Sequence, residues 1–270
     1  MSKAAPPPDP RETLALLGHA AAEHAFLEAW ISGRLAHAWL ICGPRGIGKA
    51  TFAYRIARFV LSGGGGGLFG SSSDSLDVPA GHPGTHRIAA GGHADLKVIE
   101  RGFSETRSKG EARRRSEIVV DDVRGIGSFM SLTPAEGGWR VVIIDAADEM
   151  NRNAANAVLK VLEEPPAQAL LLLLSHSPGR LLPTIRSRCR RLNLAPLAEA
   201  QVQELLGRLR PDLSEPDARA LARMGEGSIG RSLALAAEGG LDLYREVVNL
   251  LSHLPRLDIT ALHAFGDRVS

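Results

Sequence analysis

Ala38-Trp-Leu-Ile-Cys-Gly-Pro-Arg-Gly-Ile-Gly-Lys-Ala-Thr51 decides the fold. Ala38 to Cys42 is a short, wholly apolar run, as a strand buried on both faces requires. It feeds directly into a glycine-rich turn made of Gly43, Pro44, Arg45, Gly46, Ile47, Gly48 and Lys49. Residues 50–61 then read as a helix, with Phe52, Ile56, Phe59 and Val60 on one side. Strand, glycine turn, lysine and helix in this order make a phosphate-binding loop. Glycines let the backbone N–H groups curl round phosphate oxygens, the helix N-terminus adds positive potential, and Lys49 supplies a full charge.

One position departs from that pattern. The residue after the lysine is normally Ser or Thr, whose hydroxyl coordinates magnesium; here it is Ala50. Thr51 lies one residue on, turned by about 100° round the helix axis. The loop therefore provides for phosphate and provides poorly for magnesium.

A second apolar strand is expected over 139–145, Trp-Arg-Val-Val-Ile-Ile-Asp, and its terminal Asp145 matches the metal-facing aspartate of P-loop ATPases. Active members place a glutamate next to it, which orients the attacking water. This chain has Ala146 there, with Asp148 and Glu149 following, either as capping and solvating residues of the turn or as a displaced acidic pair. Further strands are expected at 96–100, 169–175 and 190–194. Alternation of these runs with amphipathic helices at 19–32, 50–61 and 118–132, and one opened by Asn153, predicts a five-stranded parallel sheet covered on both faces. Beyond Pro196 the pattern is helical only, at about 198–210, 214–224, 228–238 and 241–253. Residues 1–12 are Pro-rich and read as a flexible leader, and 62–92, with five consecutive glycines and then serines, as a mobile insert.

Composition narrows the classes. The 270 residues are 44% hydrophobic and carry a net charge of +2, too balanced for a protein that wraps DNA by itself. The run Arg107, Lys109, Arg113, Arg114, Arg115 either faces DNA or forms a solvated loop. Two cysteines, Cys42 and Cys189, exclude a four-cysteine zinc site. His82, His86 and His93 stand in the glycine-rich region, as solvated side chains or as metal ligands. The N-terminus has no apolar signal core, and residues 169–174 fall far short of the ~20 needed to span a bilayer, so a cytoplasmic protein with no membrane partner is expected.

Three segments carry a family resemblance: Arg34-Leu-Ala-His-Ala-Trp-Leu40, Asn153-Ala-Ala-Asn-Ala-Val-Leu-Lys-Val-Leu-Glu-Glu-Pro165, and Pro183-Thr-Ile-Arg-Ser-Arg-Cys189. With the phosphate loop they resemble the delta-prime family of bacterial clamp-loader AAA+ subunits, over about residues 12–240. The resemblance implies a RecA-like AAA+ domain (13–195), a small helical lid (196–240), and over 241–270 the start of a truncated helical collar or a linker. Ser187-Arg188-Cys189 resembles the motif whose arginine reaches a neighbour's nucleotide as an arginine finger in trans. Ser175 falls where the family places a small polar sensor, or is a serine capping the next turn. Arg231 sits one step past Gly230, the position aligned with the family's nucleotide-sensing arginine. The family's cysteine-ligated zinc module has no counterpart here, so no zinc is expected.

The function implied is that of a degenerate, non-hydrolysing subunit of the sliding-clamp loader within the polymerase holoenzyme, with ATP or ADP held without turnover. Implied partners are motor ATPase subunits, a clamp-opening subunit, and the sliding clamp and primed DNA through the complex. The alternatives are a self-sufficient AAA+ ATPase, against which Ala50 and Ala146 argue, and a small-molecule kinase, for which no acceptor site is visible.

Overall fold

The computed structural model describes residues 8–64, 75–103, 114–136, 138–253 and 259–269. The chain folds as two units, one spanning Pro8–Pro196 and the other taking the chain from Leu197 onward. In the first unit, strands β1 (Ala38–Cys42), β2 (Leu96–Ile99), β3 (Arg140–Ile144), β4 (Ala169–Ser175) and β5 (Arg190–Asn193) form one parallel sheet in the order β2-β3-β4-β1-β5. Its helices are α1 (Ala20–Ile31), α2 (Lys49–Leu61), α3 (Pro83–Ala89), α4 (Val120–Val123), α5 (Ile126–Ser131), α6 (Arg152–Glu163) and α7 (Pro183–Arg186). All residues of β1, β3 and β4 are buried. Their continuous hydrophobicity has a simple cause. Side chains alternate between faces, and helices cover both. Leu170, Leu172 and Leu174 join a core with α1 and α2, while Leu171 and Leu173 join a second with α5 and α6.

β1 lies between β4 and β5, at the point where the order of strands along the sheet reverses. Ligands of open parallel sheets bind at the carboxyl ends of strands at such a point. The turn after β1 leaves from there, pinned on both sides: the Gly43 N–H donates to Ser175 O (3.2 Å) and the Leu194 N–H to Cys42 O (2.8 Å).

Four sequence expectations need correction. Asn151, not Asn153, caps α6, its side chain accepting from the Ala154 N–H at 2.9 Å. The single helix expected over 118–132 is two short ones, α4 and α5, with Gly125 at the start of the second. The insert expected over 62–92 contains α3, opened by Pro83 and capped by the His82 side chain, which accepts from the Gly84 N–H; residues 65–74 lie outside the described residues. Within the leader, described from residue 8, the chain is held rather than loose. The buried Arg58 guanidinium donates to the carbonyls of Pro10 (3.3 Å), Arg11 (2.7 Å) and Thr13 (3.0 Å).

The second unit is helical: α8 (Glu199–Leu209), α9 (Glu215–Met224), α10 (Ile229–Ala237), α11 (Gly240–Ser252) and α12 (Ile259–Val269). Val202, Leu206, Leu221 and Ala222 form its core, and Leu241, at the start of α11, is buried in the same cluster. No helix among the described residues is long and apolar enough to cross a membrane.

Candidate phosphate-loop site

The loop from Gly43 to Lys49 turns through left-handed backbone that only glycine adopts without strain. Gly43 has φ 153° and Gly48 φ 102°. At Gly43 space alone also demands glycine, since a Cβ would lie 2.6 Å from both Ile47 Cδ1 and the Leu194 carbonyl oxygen. Gly48 caps α2, whose first residue is Lys49. Lys49 is buried, and its ammonium donates to the carbonyls of Gly43 (2.7 Å) and Pro44 (2.5 Å). Burial pushes its pKa down to about 8, against the pull of Asp145 and Asp148. Behind the loop, His19 Nε2 lies 2.7 Å from the Ile47 carbonyl, so that nitrogen carries the proton and donates. Burial lowers the pKa of His19, as the neutral ring requires.

Asp145 follows β3 directly, and burial raises its pKa to about 6, with Glu100 adding to the rise and Lys49 opposing it. Ala146, which is buried, fills the next position with a methyl group. Asp148 is buried and accepts from the His176 backbone N–H at 3.0 Å, tying the turn after β3 to the end of β4. Glu149 pairs with Arg45 of the loop and with Arg101 Nε at 2.9 Å. Both acids after Ala146 are thus engaged in holding the turn and the loop.

These residues fit the phosphate groups of a nucleotide: turned backbone, a helix N-terminus and a buried ammonium converge at one point. They do not fit its magnesium. Ala50 has no side-chain oxygen and packs against the first core, so the hydroxyl that would hold magnesium is missing.

A family model described as DNA polymerase III, delta subunit, matches residues 18–198. DNA polymerase III subunit delta-prime of Pseudomonas aeruginosa is 36% identical over 231 residues, covering 84% of this chain and 63% of that protein. The Escherichia coli subunit of the same name is 32% identical over 218 residues, covering 78% and 57%. The chain belongs to the DNA polymerase III delta-prime family. It spans 57% to 63% of the length of these two relatives. The RuvB Holliday junction branch migration motor of Thermotoga maritima has the same fold, with TM-score 0.50 and 17% identity over 96% of this chain and 73% of that one. The fold is that of a P-loop AAA+ domain.

In this delta-prime family chain, Ser175 ends β4 opposite Cys42, fully buried, its Oγ without a hydrogen-bond partner among the described residues. The next residue, His176, is one that sequence reasoning missed. Its Nδ1 is buried without a hydrogen-bond partner among the described residues, and burial, with Lys49 next in weight, drives its pKa down to about 4. Its only sequence signal is that it follows the last wholly apolar strand. Lys49, Asp145, Asp148 and His176 form one electrostatically coupled cluster.

Arg188 belongs to a different neighbourhood. It lies between α7 and β5 with its side chain 37% exposed, donating to Thr184 O at 3.0 Å and pairing with Glu163 Oε1 at 3.0 Å. Cys189, beside it, is pushed up to about 12 by burial. Arg231 is in the second unit, on α10, paired with Glu226. His82 and His93 use Nδ1 to accept from the backbone N–H groups of Gly84 and Asp95. Among the described residues no three His, Cys, Asp or Glu side chains are grouped to hold a metal. Of the basic run, Arg114 pairs with Glu100 and Arg115 with Asp122; Arg107, Lys109 and Arg113 lie outside the described residues.

Proposed function

We propose that this chain is a non-hydrolysing subunit of the sliding-clamp loader in DNA replication, working in a ring with motor ATPase subunits and a clamp-opening subunit. The sliding clamp and primed DNA are reached through that complex, in the cytoplasm. One observation carries the reading. The phosphate loop is built in full up to Lys49, while Ala50 and Ala146 leave out the magnesium hydroxyl and the water-orienting carboxylate. Such a loop holds the phosphates of ATP or ADP as a structural ligand and does not cleave them. No zinc is required by the reading.

In its second role the chain supplies Arg188 to a nucleotide held by a neighbouring subunit. The position of this side chain supports that role: it is at the surface, and Glu163, its acidic partner among the described residues, is itself about half exposed. An exposed ion pair is worth at most ~1 kcal/mol and yields readily to a stronger anion. A guanidinium fork suits a developing phosphoryl charge better than a point charge does.

The test is reconstitution with the motor and clamp-opening subunits, followed by ATPase with clamp and primed DNA. Arg188→Ala is expected to lower the rate severalfold while leaving folding intact, and Arg188→Lys to recover only part of it. An arginine finger is worth roughly 10³–10⁵ at its own site, but a ring with several sites loses only one. Arg190→Ala, which removes a guanidinium lying 4.8 Å over the Trp39 ring, serves as control and should cost much less. Equal effects at both positions refute the trans role. Magnesium-dependent turnover by the isolated chain refutes the non-hydrolysing one.

A further inference from the structure

His19 reaches the phosphate loop from a segment far from it in sequence. It is the N-cap residue of α1, and its own carbonyl accepts the first bonds of that helix, from the Ala22 N–H (2.9 Å) and the Glu23 N–H (3.1 Å). A polar side chain at this position ordinarily caps the helix; that of His19 makes no such bond. It runs instead to the Ile47 carbonyl, 28 residues on, to which Nε2 donates at 2.7 Å. The backbone is bent to allow this. Gly18 has φ 76° and His19 itself φ 62°, left-handed values that a residue with a Cβ adopts only where its surroundings hold it. Leu16 comes with it. A Cβ on Gly48 would lie 3.3 Å from Leu16 Cδ1 and 3.8 Å from His19 Nε2, so both side chains stand against the last glycine of the loop.

The bonded carbonyl belongs to the peptide that joins Ile47 to Gly48. A peptide group is planar and trans, so its C=O and N–H point in opposite directions, and fixing one fixes the other. This peptide needs fixing. The Ile47 side chain is buried, and the Gly48 carbonyl is taken by the Phe52 N–H at 2.9 Å. Between these two anchors the peptide can turn over, because Gly48 takes φ of either sign at little cost. Turned over, it would offer an anion a carbonyl oxygen in place of an N–H. With the carbonyl held by His19, the Gly48 N–H faces away from the ring and makes no hydrogen bond among the described residues.

We propose that His19 is a positioning residue of the phosphate loop, its bond to Ile47 holding the Ile47–Gly48 peptide with the N–H turned to the bound phosphate. This assignment rests on the phosphate-loop reading above and adds the residue that keeps one of its backbone donors aimed. His19 acts through that peptide and not on the ligand.

The experiment is a calorimetric titration of the full chain with tripolyphosphate at pH 7 without metal. His19→Asn accepts left-handed backbone and can cap α1 itself, so it keeps the fold, but it is too short to reach Ile47. It should bind about tenfold more weakly than the parent, the loss of one charge-assisted hydrogen bond. His19→Gln, whose terminal amide reaches about as far as Nε2, should stay within about threefold of the parent. His37→Leu removes a bond of the same kind, from Nε2 to the Leu162 carbonyl at 3.2 Å, beside the amino end of β1, and should bind as the parent does. The Gly48 amide proton should move downfield with tripolyphosphate in the parent and in His19→Gln, and less in His19→Asn. A parent that does not bind tripolyphosphate overturns the phosphate-loop reading, and the role of His19 with it. A parent that binds overturns the role of His19 alone in any of three cases: if His19→Asn equals it, if His19→Gln is no better than His19→Asn, or if His37→Leu is as weak as His19→Asn.

Discussion

Replacing Asp145 by Asn should make this protein more stable at neutral pH, although it removes the acidic residue most readily taken for essential. Burial raises the pKa of Asp145 from an ordinary 3.8 to about 6, and Glu100, Glu149 and Asp148 push the same way. A raised carboxyl pKa means that the folded state binds the proton more tightly than the unfolded chain. Stability from this group is then complete below pH ~4, falls as pH rises through the window from ~4 to ~6, and stays low above it. A gap of about two pH units at ~1.4 kcal/mol per unit sets an upper limit of ~3 kcal/mol. The Asn amide needs hydrogen bonds of its own, costing about 1 kcal/mol, which leaves a net gain of about 1–2 kcal/mol at pH 8. Urea denaturation of both proteins at intervals from pH 4 to pH 8 measures it. The stability difference should open between pH 4 and 6 and then level off. A variant less stable than the parent at pH 8, or a difference that ignores pH across this window, refutes the claim that Asp145 is held ionised at a cost.

Two further outcomes follow from the same geometry. Tripolyphosphate binding, measured by calorimetry without metal, should be level below pH ~8 and weaken by up to about tenfold per pH unit above it. The anion favours the Lys49 ammonium, whose proton must then be taken up from solution; a level profile to pH 10, or equal binding by Lys49→Met, refutes this, and added magnesium should not strengthen the parent. Asn151→Ala should cost about 1 kcal/mol in urea denaturation through loss of the α6 cap, whereas Asn153→Ala should stay within about 0.5 kcal/mol. Equal costs would return the cap to Asn153.

The sheet was legible in the sequence because its central strands are buried on both faces, so their apolar runs are unbroken and end where the chain turns. The phosphate loop was legible because glycine, lysine and spacing each answer a physical need of the same ligand. Signals of one residue fared worse. Asn151 and Asn153 stand two apart at the same helix end, and only the extended backbone at Asn151 (φ −68°, ψ 168°) decides which caps. Pro83 is an ordinary helix opening, but the glycines and serines before it made the whole segment read as linker. His176 belongs to no motif; it matters because the turn after β3 folds back on it.

Arg58 and Lys49 show the underlying difficulty. Both are basic residues of α2, and both are buried at 4% exposure. On a helix a cation of this kind reads as solvated, since burying a charge unpaired is costly. Here main-chain carbonyls accept hydrogen bonds from both. Arg58 collects those of Pro10, Arg11 and Thr13, and Lys49 those of Gly43 and Pro44. No composition or periodicity reveals such an arrangement, because the acceptors are backbone atoms that every residue carries. The two cations differ in what remains for them to do. Arg58 is fixed among carbonyls from three residues of the N-terminal segment, a structural contact. Lys49, its pKa lowered by burial to about 8, stands in a loop whose backbone turns as a phosphate-binding loop does. Burial lowers the pKa of both cations, so their acceptors distinguish them. Arg58 binds carbonyls of a segment some 45 residues away in sequence, and Lys49 those of its own glycine turn, which a phosphate would replace on the reading proposed above.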